Sequence, residues 1–268
     1  MALWTPSDIG GSVLTAWYKA DSISGSDGDA VSSWSDSSGN SNTASQATAS
    51  RQPTLQTNEL NGLSVVRFDG SNDILSDGDI AALDVGTGDI WMAAVFKSTD
   101  DSAAQNYFEK GATSFGLRTT AAGILQMNLG GTSNIPTQSA GNWSRTAFVL
   151  VTASRVSSTC NGFINGTAST TTGTTNTGSI SNSDVFDIGA RASSGAGAMT
   201  GDIAEILVGG ATLTDTNRQL IEGYLAHRYG LSGNLPSDHP YKNFAPTIRV
   251  RPLVGNGPQL FGNGMISS

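Results

Sequence analysis

Apolar residues in this chain come in short runs, many of them alternating with polar ones, and each run is closed by a knot of Gly, Ser, Thr, Asn or Asp. Residues 65–75, VVRFDGSNDIL, show the unit: an alternating run, a polar knot, and apolar residues again. A period of two places successive side chains on opposite faces of a strand, so such a chain buries its apolar residues by packing sheets. In 63–68, Leu63, Val65 and Arg67 fall on one face and Ser64, Val66 and Phe68 on the other. The run 89–97, DIWMAAVFK, is apolar on both faces, as expected of a central strand covered on both sides. Residues 145–154, RTAFVLVTAS, carry the strongest strand pattern. They lead across a short turn to a strand at 159–164, and Asn165-Gly166 then supplies a typical hairpin dipeptide. Further strands are expected at 13–19, 30–34, 107–109, 114–118, 124–129, 185–189 and 202–208. The stretch 167–177 reads as an edge strand or long loop, and 35–50 as a polar surface loop.

The period changes once. In TDTNRQLIEGYLAHRYG, Leu220, Ile221, Tyr224 and Leu225 recur at helical spacing. Thr214 or Asp215 can serve as the N-cap, and Gly230 stands where a C′ glycine ends a helix. Gly223 in the middle costs about 1 kcal/mol against Ala, so tertiary packing must hold this helix. After Pro246 the pattern is lost. We therefore expect a domain at 1–245, helix 214–230 included, and an extended arm at 246–268 that anchors the chain or straps subunits together. Leu253, Leu260, Phe261 and Met265 are its apolar anchors.

Charge and motifs exclude several functions. Charged residues are only 13%, glycines number 33, and the net charge is −8, so there is no basic stripe for nucleic acid. Cys160 is the one cysteine, leaving no internal disulfide and no Cys-based zinc site. The N-terminus lacks the pattern of a secretory signal, and no apolar run approaches the roughly 20 residues that span a bilayer; synthesis in a cytosol without membrane insertion is expected. No nucleophile elbow, P-loop or HExxH motif is present. The four glutamates, Glu59, Glu109, Glu205 and Glu222, have no acid two positions away, so the same-face pair of a sandwich glycosidase is missing and no catalytic residue is assigned. His227 reads as a boundary residue of the helix, and residues 238–241 (DHPY) as a packed turn behind it. Trp17 and Trp91, inside apolar runs, are core; Trp34 and Trp143 stand beside polar loops and are either core or aromatic platforms for a sugar, with Asp36 and Asn40 close to Trp34 in sequence.

Several stretches together resemble the laminin-G-like, concanavalin-A-like sandwich domains common in phage and environmental bacterial proteins. They are AWYKADS (16–22), VSSWSDSSGN (31–40), QP (52–53), NGLSVVRFDGSND (61–73), GDIAEILV (201–208), the helix region 214–231 and LPSDHPYK (235–242). The resemblance implies an all-β fold: a concanavalin A-like jelly-roll sandwich of two antiparallel sheets, with one C-terminal α-helix and the extended arm. It also places the Phe-Asp-Gly-x-x-Asp turn at a strand end, where Asp69, Asn72 and Asp73 either coordinate Ca²⁺, helped by Asp36, Asn40 and Asp202, or bond their own turn amides. The function it suggests is a non-enzymatic virion structural protein of a bacteriophage, a capsid decoration or a tail fibre. Its partners would be copies of itself, a trimer for instance, and other virion proteins. The alternative is a carbohydrate-binding adhesin module for a cell-surface glycan, with Ca²⁺ as an optional aid, and a sandwich glycosidase stands third.

Overall fold

The computed structural model describes residues 2–9, 13–99, 103–111, 114–131, 135–191 and 197–248. They form two antiparallel sheets packed face to face, with one helix laid on the outside of the first. The first sheet runs Thr167–Ala168, Thr159–Ile164, Val149–Val156, Ile90–Ser98, Thr200–Gly209, Leu63–Asp69 and Thr54–Leu60. The strand Ala16–Lys19 also pairs with Thr200–Gly209, on residues 205–208, while Leu63–Asp69 pairs with residues 200–203 of the same strand. The second sheet runs Thr137–Gln138, Leu125–Leu129, Phe115–Thr119, Gln105–Lys110, Phe186–Ile188, Leu75–Asp77, Ala44–Ser45 and Ser33–Trp34.

The run apolar on both faces is explained by this layering. In Ile90–Ser98, Ile90, Met92, Ala94 and Phe96 face the core between the sheets, and Trp91, Ala93 and Val95 face the layer under the helix. Leu63–Asp69 divides in the same way, with Val66 and Phe68 inward and Val65 toward the helix. Burial of both faces is why Ile90–Ser98 tolerates so few polar residues.

The helix, Asp215–Arg228, starts where expected: the Thr214 hydroxyl accepts from Asn217 N at 3.2 Å. Gly230 takes a φ of +69° just past its end. Ile221 and Leu225 are fully buried against Trp17, Trp91 and Leu207. Gly223 has a packing reason, since a Cβ there would lie 2.5 Å from Tyr241 Cβ in the segment that returns over the helix. Asn165 and Gly166 both have positive φ, as a tight type I′ hairpin turn requires.

Two readings of the strands need adjustment. The strand at 145–154 starts only at Val149, because the Ser144 hydroxyl accepts from Ala147 N at 3.1 Å and bends the chain out of the sheet. The strands Thr54–Leu60 and Leu75–Asp77 were not foreseen. The start of the tail is paired with the start of the chain: Trp4 N donates to Pro246 O at 3.0 Å and Ile248 N to Ala2 O at 2.9 Å. Leu253, Leu260, Phe261 and Met265 lie outside the described residues. No helix among those described is long and apolar enough to cross a membrane.

Candidate functional site

Of the two readings of Trp34, core residue or sugar platform, the structure takes the first and corrects the second. Trp34 is fully buried, with its ring 5.9 Å from that of Tyr18 in an edge-on contact. Its strand has two residues, and period two sends Ser33 to solvent and Trp34 into the inter-sheet core. Asp36 serves its own loop: Oδ1 accepts from Trp17 N (2.8 Å) and Ser38 N (2.7 Å), and Oδ2 from Ser38 Oγ (2.6 Å). The Asn40 amide donates to Leu14 O and Thr15 O at 3.0 and 2.8 Å. Both residues fasten the polar loop to the first strand, and neither lines the cleft around Trp143.

The FDGSND knot closes on itself. Asp69 Oδ1 accepts from Ser71 N at 2.8 Å and Asn72 N at 3.2 Å, and Asp73 Oδ2 accepts from Asp69 N at 2.9 Å. Gly70 takes a φ of +79°, which lets the chain turn back at the strand end. Burial pushes the Asp73 carboxyl up to about 6. The helpers expected for Ca²⁺ are committed elsewhere. Asp36 holds its loop, and Asp202 is fully buried in ion pairs with Arg67 (2.6 Å) and Lys97 (2.8 Å). Among the described residues no group of three or more His, Cys, Asp or Glu is placed to hold a metal ion.

Trp143 is different. It is half-buried, packs on the inter-sheet core with its ring 6.2 Å from Phe96, and donates from Nε1 to Gly123 O at 3.2 Å. It opens onto a cleft of about 430 Å³ whose walls come from the bend at 142–149, the Asn165 hairpin and the turn at Asn234. Phe148 supplies a second half-buried ring. Amides line the rest. Gln138 is spent on its neighbours, donating to Asn142 O (2.9 Å) and accepting from Thr170 N (3.0 Å). Asn165 Oδ1 accepts from Leu150 N at 3.0 Å, which fixes that side chain and leaves its Nδ2 uncommitted. The side-chain amides of Asn142 and Asn234 have no hydrogen-bond partner among the described residues. Two aromatic rings beside uncommitted amides suit a ligand with apolar faces and hydroxyl edges.

The wall bearing Asn234 is held by a buried polar network that sequence reasoning missed. Glu222, fully buried on the helix, accepts from Thr152 Oγ1 at 2.6 Å and from Arg218 Nη1 at 2.9 and 2.7 Å. His239 Nε2 lies 3.0 Å from Glu222 Oε2, and Tyr241 N donates to His239 Nδ1 at 3.2 Å. A neutral ring that accepts at Nδ1 carries its proton on Nε2, so it donates to Glu222. His239 and Pro236 pack against Gly166, where a Cβ would meet them at 3.2 and 3.1 Å. The hairpin and the turn thus rest on one another, and the network bolts both to helix and sheet.

The other glutamates are also committed. Glu205 is fully buried and accepts from Trp17 Nε1 (2.5 Å) and Tyr229 OH (2.7 Å), and burial pushes its carboxyl up to about 7. Arg228 Nε lies 3.3 Å away without hydrogen-bond alignment. Glu109 pairs with Arg191 and Glu59 with Arg67. None of the four lines the cleft.

No protein-family model matches the chain, and no curated protein matches it significantly. Solved structures do share its fold. A sialidase of Trypanosoma rangeli in complex with sialic acid superposes with a TM-score of 0.57 at 13% identity, over 85% of this chain and 36% of that one. The same enzyme with a covalent 2,3-difluorosialic acid intermediate gives 0.56 at 12%, over 81% and 33%. The chain therefore spans about a third of the length of the sialidases it matches. Domain 4 of AbnA, a GH43 arabinanase of Geobacillus stearothermophilus, in complex with arabinotriose, gives 0.49 at 17%, over 76% and 96%, a weaker superposition. The sialidase matches agree with the two-sheet sandwich. They also correct the expectation of a virion structural protein, whether capsid decoration or tail fibre. The matches to the sialidases, at 12–13% identity, are matches of fold.

Proposed function

We propose that this chain is a non-catalytic carbohydrate-binding module on a laminin-G-like sandwich, and that its ligand sits in the Trp143 cleft. The observation that carries the reading is the half-buried Trp143 ring, fixed from behind and flanked by Asn142 and Asn234, whose side-chain amides have no hydrogen-bond partner among the described residues. Unpaired amides cost little in water, yet on a cleft wall they are ready donors and acceptors for sugar hydroxyls. The fold shared with a sialidase in complex with sialic acid supports a glycan ligand. The non-catalytic part rests on the carboxylates. Glycoside hydrolysis commonly uses two of them, Asp or Glu, facing the substrate at about 5–9.5 Å, and among the described residues neither type lines this cleft. In this reading the Asp69 and Asp73 oxygens serve their own turn amides and the ligand is held without Ca²⁺, so binding is expected to survive EDTA.

The test is titration of a glycan panel against the full chain and Trp143→Ala, with circular dichroism to confirm that both are folded. Loss of the ring is expected to weaken the best ligand by about tenfold or more. A folded Trp143→Ala that binds as tightly as the parent would remove the site from the cleft.

A further inference from the structure

The relatives in fold point toward sialic acid, an anionic sugar, but the cleft of this chain is built for something else. We infer that the Trp143 cleft selects uncharged sugars and discriminates against sialylated and other acidic glycans. This inference rests on the glycan-binding reading above and specifies its ligand class.

Three observations lead to it. Among the described residues the cleft is lined by no Asp, Glu, Lys, Arg or His; its polar groups are amides and hydroxyls, such as Asn142, Ser144, Asn165 and Asn234. An amide offers one donor and one acceptor side, which matches a pair of neighbouring hydroxyls. A carboxylate is satisfied instead by a paired cation, ideally the planar fork of arginine, and desolvating it without one is costly.

The cation stacked on the wall does not fill that role. Lys97 Nζ stacks 4.7 Å above the Phe148 ring, on a residue of the cleft wall, but it is already bound to Asp202 at 2.8 Å and Glu59 at 3.3 Å. With Arg67 beside them, the four side chains sum to zero charge: two cations and two carboxylates. An acidic ligand reaching for Lys97 would have to compete with a buried aspartate. The third observation is the long-range field, since a net charge of −8 repels an anionic glycan during approach.

The size of the cleft agrees with a short neutral segment. About 430 Å³ lies in the lower part of the ligand-pocket range of roughly 300–1,000 Å³, enough for a few atoms to stack on Trp143 while the rest of a chain runs on into solvent.

The experiment uses matched pairs of ligands on the full chain: lactose against 3′-sialyllactose, a neutral xylo-oligosaccharide against its glucuronylated form, and a complex glycan with and without terminal sialic acid. Binding is followed by calorimetry and by tryptophan fluorescence. The neutral member of a bound pair is expected to bind about tenfold or more tighter than the acidic one, and the preference to shrink as salt is raised. Asn142→Lys, at an exposed position on the rim, should narrow or reverse the gap without loss of fold. If the acidic member binds more tightly and Trp143→Ala abolishes it, the cleft is a glycan site and the inference is wrong. If no member of any pair binds, the glycan-binding reading itself falls. Neutral binding that ignores both substitutions would overturn the assignment to this cleft.

Discussion

Replacing Glu222 tests whether the wall of the cleft is held from the helix. Its carboxylate receives Thr152 Oγ1, two contacts from Arg218 Nη1, and His239 Nε2, all between 2.6 and 3.0 Å and out of solvent. Glu222→Ala leaves the Arg218 guanidinium with Asp215 at 3.4 Å, itself solvent-exposed, and with the Phe163 ring at 3.8 Å. It also leaves the Thr152 hydroxyl and the His239 N–H facing a void. Removing one partner of a buried pair costs about 3–5 kcal/mol, mainly because the other charge is stranded. Glu222→Gln keeps the shape but not the charge. Its NH₂ must point at one donor; Thr152 can reverse its hydroxyl and accept, whereas the His239 N–H cannot. The amide therefore turns its NH₂ toward Thr152 and still loses one Arg218 contact, for a cost of about 1.5–3 kcal/mol.

The assay is urea unfolding of the full chain and both variants, read as a midpoint shift at unchanged slope. The order expected is wild type, then Gln, then Ala. The same variants should bind the glycan more weakly even while folded, because His239 supports the Gly166 hairpin and the turn that carries Asn234. Shifts below about 0.5 kcal/mol in both variants, with binding intact, would refute the idea that this network positions the wall.

Two further outcomes follow from buried groups. Glu205 has its carboxyl raised by burial from 4.5 to about 7, so between those values the folded chain holds a proton that the unfolded chain has lost. That contribution is fully present below about pH 4.5 and is lost as pH rises through about 7, roughly 3 kcal/mol in all, and Glu205→Gln should flatten this part of a stability–pH curve. Gly223→Ala should destabilise by about 1–3 kcal/mol despite its better helix propensity, because its Cβ meets Tyr241 Cβ at 2.5 Å; a rise in the urea midpoint would show that Tyr241 can move aside.

Much of the fold was legible because its signals are local. The double-faced run at 89–97, the hairpin at Asn165-Gly166 and the helix between Thr214 and Gly230 all lie where period and turn chemistry put them. The strands at Thr54–Leu60 and Leu75–Asp77 were hidden because neither alternates cleanly: the first reads TLQTNEL, with its register to Leu63–Asp69 shifting between Gln56 and Leu60, and the second is three residues long. The bend before Val149 was hidden because an apolar pattern says nothing of a serine hydroxyl that takes an amide and turns the chain.

The site shows where that legibility ends. Trp34 and Trp143 carry the same local signal, an indole beside polar residues, and the structure separates them completely. Trp34 lies on a strand of the second sheet, so pleating decides its direction, and the direction is inward. Trp143 stands outside any strand, after the turn at residues 139–142, and only contact with Phe96 and Gly123 sets its plane. The amides around it come from positions 138–142, 165 and 234, which no period relates. Two of those walls meet because Gly166 admits Pro236 and His239 at close range, and His239 is there because a carboxylate one turn beyond Arg218 on the helix receives it. A binding surface of this kind is therefore a property of how the helix seats on the sheet, and changes at Glu222 or Gly223, none of which touches the ligand, should alter affinity as surely as changes in the cleft.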